Sequence, residues 1–285
     1  MNFYNGKGEK IAIETDGTSS VIGKPWADVL HQGWPEGVPG NTIPAYHLIK
    51  ENGYEWGECD IRMTADLVPV VCHNASMTGT VNGVSTTLTI AESTAAEVTA
   101  LVLATHETYG DICIPTLAEL LDMARCLGIG MVLDIKSAGN MLTAENNKIL
   151  AKTVLASGWA AHCIYMPLST AMAAAIQSVD KNASFDFVSS VADADALPDL
   201  TAYTALLTGS NTVGFDFNAS VKDSDGGLPA AMFDKVREEG LSVSFWNIGS
   251  NNYSTYFDKG PLRVTYNGYG SAGLGQTYLD SKTFW

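Results

Sequence analysis

Eight short apolar segments punctuate this chain, most of them separated by amphipathic stretches of helical period, and that alternation restricts the fold more than any other feature. The strand candidates span residues 27–31, 56–61, 69–73, 131–136, 163–168, 184–189, 212–218 and 241–248. Helical stretches lie at 116–127, 144–156, 170–179 and 230–239, with Leu117, Leu120, Leu121 and Ala124 at helical spacing in the first. Strands that alternate with helices pair in parallel, because a parallel connection needs a crossover of a dozen or more residues. Eight such strands predict an α/β fold that closes on itself, a (β/α)8 TIM barrel. The 285 residues and 46% hydrophobic content suit one barrel of that size.

Local signals mark the element ends. Thr116 follows Pro115 and precedes Glu119 by three residues, a capping box that opens a helix. Gly128 closes that helix and Gly240 a later one. Residues 1–25 read as a small N-terminal β-hairpin attachment, 26–267 as the barrel, and 268–285 as a Gly and aromatic tail. The stretch 75–111 is too long and too rich in Thr, Gly, Ser and Asn for a barrel loop, so it is expected to form an insertion at the catalytic face. Residues 223–227 lack the full EF-hand pattern and read as a turn.

A formal charge of −15 argues against binding nucleic acid or an anionic membrane non-specifically, since both require a lysine and arginine surface. No run of eighteen apolar residues occurs, and the first residues have no apolar stretch of the signal-peptide kind. A soluble protein with no signal peptide and no transmembrane segment is expected. Five cysteines without CxxC spacing (Cys59, Cys72, Cys113, Cys126, Cys163) read as buried reduced thiols, hence folding in the cytoplasm. Abundant Ser, Thr, Asn and Gly also suit later work at a cell or virion surface. Nothing in the sequence sets the oligomeric state.

Three of the strand candidates end in chemistry-bearing side chains. Segment 56–61 carries Glu58 and Asp60, 69–73 ends in His73, and 131–136 ends in Asp134 and Lys136. Side chains alternate along a strand, so Glu58 shares a face with Asp60, and Asp134 with Lys136. Three carboxylates and a lysine, flanked by His31 and His73, are the parts for a divalent cation holding a phosphate ester. Oxygen donors favour Mg²⁺ or Ca²⁺ over thiolate-preferring metals.

The order His31, Gln32, Gly33, then Asn41, Thr42, then Gly57, Glu58, Asp60, then Val70, Val71, His73, then Pro115, Thr116, Leu117, Glu119, then Asp134, Ile135, Lys136 resembles the glycerophosphodiester phosphodiesterase family. Gly240, Leu241, Val243, Phe245, Trp246 and Asn247 look like its strand with a Trp near the end. The resemblance implies a TIM barrel and metal-assisted cleavage of a phosphodiester. It implies Glu58, Asp60 and Asp134 as ligands of one divalent cation, His31 and His73 as general base and acid, and Lys136 as a charge stabiliser. Gln32, Asn41 and Trp246 are implied to bind substrate, a small or polymeric phosphodiester.

Four positions depart from that family's pattern. Gln32 stands where an Arg is usual, Gly40 where a Glu precedes Asn and Thr, Asn74 where an Asp follows the second His, and Asp134 where a longer Glu is usual. The Asp, Ile, Lys spelling at 134–136 also resembles the sphingomyelinase D type phospholipases. Two further readings therefore stay open: a binding module for phosphodiester polymers such as teichoic acid or capsule, and lyase-type transfer on a choline phospholipid through a cyclic phosphate.

Overall fold

A computed structural model describes residues 3–4, 10–11, 27–137, 139–190, 196–221, 230–248, 256, 259, 261–266, 271 and 274. Most of the expected N-terminal attachment, most of the C-terminal tail and the 223–227 turn lie outside the described residues; Phe3–Tyr4 does pair antiparallel with Lys10–Ile11. Strand order in the main sheet is that of a closed (β/α)8 barrel: Gly130–Ile135, Cys163–Met166, Ser184–Ser189, Val213–Asn218, Ser242–Ile248, Arg263–Tyr266, Ala27–Leu30, Trp56–Met63, with Gly130–Ile135 paired again to Trp56–Met63. The chain forms two compact units, Leu30–Phe185 and Met1–Val29 with Asp186–Trp285. Among the described residues no helix is long and apolar enough to cross a membrane.

The barrel has the expected class and eight strands, but one of the eight is not the strand expected. Pro69–Val71 pairs antiparallel with Trp56–Met63, through Ile61↔Val71 and Met63↔Pro69, and stands outside the parallel ring. The connection before it is too short for a crossover, so chain geometry permits only a hairpin. Thr64 fixes that hairpin: its Oγ1 donates to Asp66 Oδ1 at 2.6 Å and accepts from the Val68 N–H at 3.0 Å. The remaining barrel strand is Arg263–Tyr266, a four-residue segment pairing in parallel with Ser242–Ile248.

In the Leu30–Phe185 unit, the helix Leu117–Leu127 buries Leu117, Leu120, Leu121 and Ala124, the stripe its spacing predicts. Both halves of the Thr116–Glu119 capping box form, and Gly128 ends the helix at φ 69°. Cys126 lies on the exposed side of this helix and Cys113 is half-buried, so of the five free thiols only Cys59, Cys72 and Cys163 are buried as expected. Two residues after Asn74 the chain enters an antiparallel sheet of four strands, Ser76–Val81, Val84–Thr89, Val102–His106 and Gly110–Cys113. Met77, Val81, Leu88 and Leu103 pack against Val70, Cys72, Ile90, Val98, Leu101 and Ile114, which ties this sheet to the hairpin that carries His73.

In the other unit, Arg263 is buried and forks Nε and Nη2 onto Asp186 Oδ2 at 3.1 and 2.6 Å. Removing one partner of such a pair strands the other charge away from water, at a cost of about 3–5 kcal/mol. Arg263→Met is therefore expected to lower the unfolding free energy measured by urea titration by that amount. Adding Asp186→Leu to it should recover most of the loss; a double variant no more stable than the single would contradict this account.

Candidate active site

The site residues of the Leu30–Phe185 unit gather at the ends of three segments. After Ala27–Leu30 the chain turns through Gln32 (φ 58°) and Gly33 (φ 86°). A side chain at Gly33 would meet the Ala45 backbone at 2.9 Å, so the turn demands glycine on both counts. The turn aims two donors of Gln32 at the neighbouring strand. Its backbone N–H donates to Glu58 Oε2 at 3.0 Å, and its Nε2 donates to Asp60 Oδ2 at 3.0 Å.

Asn41, also left-handed at φ 60°, completes this cradle. Its Nδ2 donates to Asp60 Oδ2 at 2.6 Å, and its Oδ1 accepts from the Asp60 N–H at 3.1 Å. The Tyr46 hydroxyl lies 3.0 Å from Asn41 Oδ1 and 2.9 Å from the Glu58 carbonyl, so it braces both. Tyr46 gave no sequence signal: it lies on the helix Ile43–Glu51, where an apolar aromatic reads as core. Two of the family departures adjoin here, since a Cβ on Gly40 would lie 3.0 Å from the Gln32 Cβ and Oε1.

Register brings the third carboxylate in. Trp56–Met63 and Gly130–Ile135 pair in parallel with Asp60 opposite Asp134 and Glu58 opposite Val132. One oxygen from each of Glu58, Asp60 and Asp134 lies within 4.8 Å of the others. Lys136 Nζ sits 2.6 Å from Asp60 Oδ1 and 2.5 Å from Asp134 Oδ2.

The electrostatics of this cluster are unbalanced. Asp60 is 0% and Glu58 4% exposed, so water does little to offset their charge. Two ionised carboxylates with oxygens no more than 4.8 Å apart repel by at least about 3 kcal/mol at an effective dielectric constant of ~20. Burial, then the Asp60 and Asp134 charges, hold the Glu58 carboxyl well above the usual range. Burial also raises Asp134, against the pull of Lys136. Lys136 moves upward: burial opposes its charge, but Asp134 and Asp60 outweigh that. One ammonium facing three carboxylates leaves a deficit of positive charge.

A divalent cation fits that deficit. The donors are all oxygen, the choice of Mg²⁺ and Ca²⁺; bonds of about 2.0–2.6 Å place opposite oxygens roughly 4–5 Å apart, and the three oxygens here lie within 4.8 Å of one another.

The two imidazoles adjoin this centre. His31 Nε2 lies 3.8 Å from Glu58 Oε2, and burial lowers its pKa below the ordinary imidazole value, with Lys136 and His73 adding to the effect against Asp60. His73 is exposed, with Nδ1 3.1 Å from Asn74 Oδ1. Arg62, two residues past Asp60 on the same strand face, donates Nε and Nη2 to the His73 carbonyl at 3.0 and 2.5 Å. The parity of residues 58, 60 and 62 was the available signal for Arg62. Trp246 belongs to the other unit, half-buried on Ser242–Ile248 with its backbone carbonyl accepting from the Ala219 N–H at 2.9 Å.

Fold and site together define a barrel protein with a carboxylate centre suited to a divalent cation, in the manner of metal-assisted hydrolases. The chain belongs to the glycerophosphoryl diester phosphodiesterase family, whose sequence model matches residues 31–262. Rat glycerophosphodiester phosphodiesterase 1 is 28% identical over 125 residues, 42% of this chain, and the match spans 37% of the rat protein's length. A glycerophosphodiester phosphodiesterase of Parabacteroides distasonis superposes with a TM-score of 0.68 at 20% identity, over 90% of this chain and 99% of its own. A phosphodiesterase of Oleispira antarctica, solved in complex with the product sn-glycerol-3-phosphate, superposes with a TM-score of 0.68 at 18% identity, over 90% and 97%.

Proposed function

We propose that this chain hydrolyses a glycerophosphodiester-like phosphodiester with one divalent cation, Mg²⁺ or Ca²⁺, held by Glu58, Asp60 and Asp134. The observation that carries the reading is the gathering of three carboxylate oxygens within 4.8 Å, with one lysine to offset them. The cation, when bound, neutralises and orients a phosphoryl oxygen. Gln32 and Asn41 keep the carboxylates aimed before substrate arrives, with Tyr46 bracing Asn41 and the Glu58 backbone, so little reorganisation remains for the reaction itself.

His31 takes the proton of the attacking hydroxyl. Its lowered pKa keeps the ring neutral and ready to accept at neutral pH. His73 gives a proton to the leaving alkoxide, and Lys136 offers a point cation to the developing charge. Gln32 Nε2 and Asn41 Nδ2 each keep a second N–H for a substrate oxygen. The attacking hydroxyl is either water or the neighbouring hydroxyl of the substrate, which would give a cyclic phosphate first.

Incubation with glycerophosphocholine and Mg²⁺ or Ca²⁺, followed by ³¹P NMR, is expected to show glycerol phosphate as the end product. A cyclic phosphate that persists would replace hydrolysis with lyase-type transfer. Calorimetry showing metal-dependent binding of a teichoic acid without any product would replace catalysis with recognition of phosphodiester polymers.

A further inference from the structure

Arg62 continues the face of Trp56–Met63 that bears Glu58 and Asp60. A cation beside a phosphate site suggests a substrate contact, but its two described hydrogen bonds go elsewhere. Nε and Nη2 both end on the backbone carbonyl of His73. A planar guanidinium that forks onto one oxygen fixes both its distance and its direction.

The His73 peptide is where such a restraint matters. The hairpin ladder runs out just before it: Val71 pairs with Ile61, and the Cys72 N–H makes a further bond to the Asp60 carbonyl at 2.8 Å. The His73 side chain is exposed, so packing does little to select its position. Beyond Asn74 the chain departs into the Ser76–Val81 strand of the inserted sheet. The carbonyl clamp from Arg62 links the end of this hairpin to the strand that carries two of the three carboxylates.

We infer that Arg62 is a positioning residue for phosphodiester cleavage: it fixes the His73 peptide against the carboxylate strand, so that the imidazole reaches the leaving oxygen. The inference rests on the reading of His73 as proton donor. Misplacing a catalytic group by about 1 Å costs about a hundredfold in rate, so loss of the clamp should act on turnover rather than on substrate affinity.

The test is a double-mutant cycle on glycerophosphocholine hydrolysis at saturating Mg²⁺, using Arg62→Met, His73→Ala and the pair, with enzyme concentrations high enough to keep His73→Ala turnover measurable. Arg62→Met is expected to lower kcat by about ten- to a hundredfold with KM within about twofold. In the His73→Ala background it should cause no further loss, because the group it positions is gone. Arg62→Lys should recover part of kcat, since an ammonium can donate to the same carbonyl; it also carries the cycle if Arg62→Met fails to fold by circular dichroism. Losses that multiply in the double variant, a rise in KM at unchanged kcat, or wild-type kcat without the guanidinium would each overturn the inference. Wild-type turnover in His73→Ala would instead defeat the reading of His73 and take the Arg62 role with it, whereas an impaired His73→Ala beside an unimpaired Arg62→Met removes the Arg62 role alone.

Discussion

EDTA is expected to abolish phosphodiester hydrolysis by this protein, and Mg²⁺ or Ca²⁺ in excess of the chelator to restore it. The reason lies in the charge balance of Glu58, Asp60, Asp134 and Lys136. With one ammonium for three carboxylates, the cluster repels an anionic phosphodiester; a bound divalent cation reverses that field. The same deficit has a signature independent of activity. Saturating the site at a hundred times its Kd should stabilise the fold by about 2.7 kcal/mol, seen as a rise in Tm of about 5 °C.

The pH dependence of that rise follows from the raised carboxyls. A carboxyl with a folded pKa above its unfolded value binds more protons in the native state, so stability falls as pH rises from the ordinary range of ~4 toward the folded pKa. Glu58, raised by burial and by the Asp60 and Asp134 charges, and Asp134, raised by burial, both contribute in this direction. Their contribution to the stability of the metal-free protein is smaller at neutral pH than in mild acid, and metal offsets that loss. The Tm gain on adding metal should therefore grow between about pH 4 and 7. Activity and Tm that both ignore chelator would remove the metal from this site.

His31→Ala and His73→Ala are each expected to lose about a hundred- to ten-thousandfold in kcat, the usual worth of a positioned proton donor or acceptor, while keeping wild-type circular dichroism. His31 is only partly buried and His73 is exposed, so neither substitution opens a cavity in the core. The acid limb of kcat/KM reports the free enzyme's base. Burial depresses the His31 pKa, so the neutral ring persists to lower pH and that limb should fall below the ordinary ~6.5 of imidazole. A variant at either position with wild-type rates would exclude that histidine from proton transfer. An acid limb at or above ~6.5 would point to another base.

Much of the fold was legible because it is written in local periodicity. The helix 117–127 follows from the spacing of Leu117, Leu120, Leu121 and Ala124 and from a cap that satisfies its own end. Segment 69–73 misled because a short buried strand reads alike whether it joins a barrel or folds back as a hairpin. The Arg263–Tyr266 strand escaped because its four residues, half of them polar, carry little apolar pattern. Cys126 reads as one more apolar position until the helix shows which side its Cys occupies.

The sequence alone settled which face each reactive side chain takes: Glu58 with Asp60 and Asp134 with Lys136, because period two is a property of the extended backbone. It could not settle that Asp60 stands opposite Asp134, since register between strands far apart in the chain is chosen by the closure of the barrel. Nor could it show that Gln32 and Asn41 turn their amides onto Asp60, that Tyr46 braces Glu58, or that Arg62 grips the carbonyl of His73. Those contacts join residues 11 to 28 apart in sequence, and their geometry exists only once left-handed turns and paired strands have fixed the backbone on both sides.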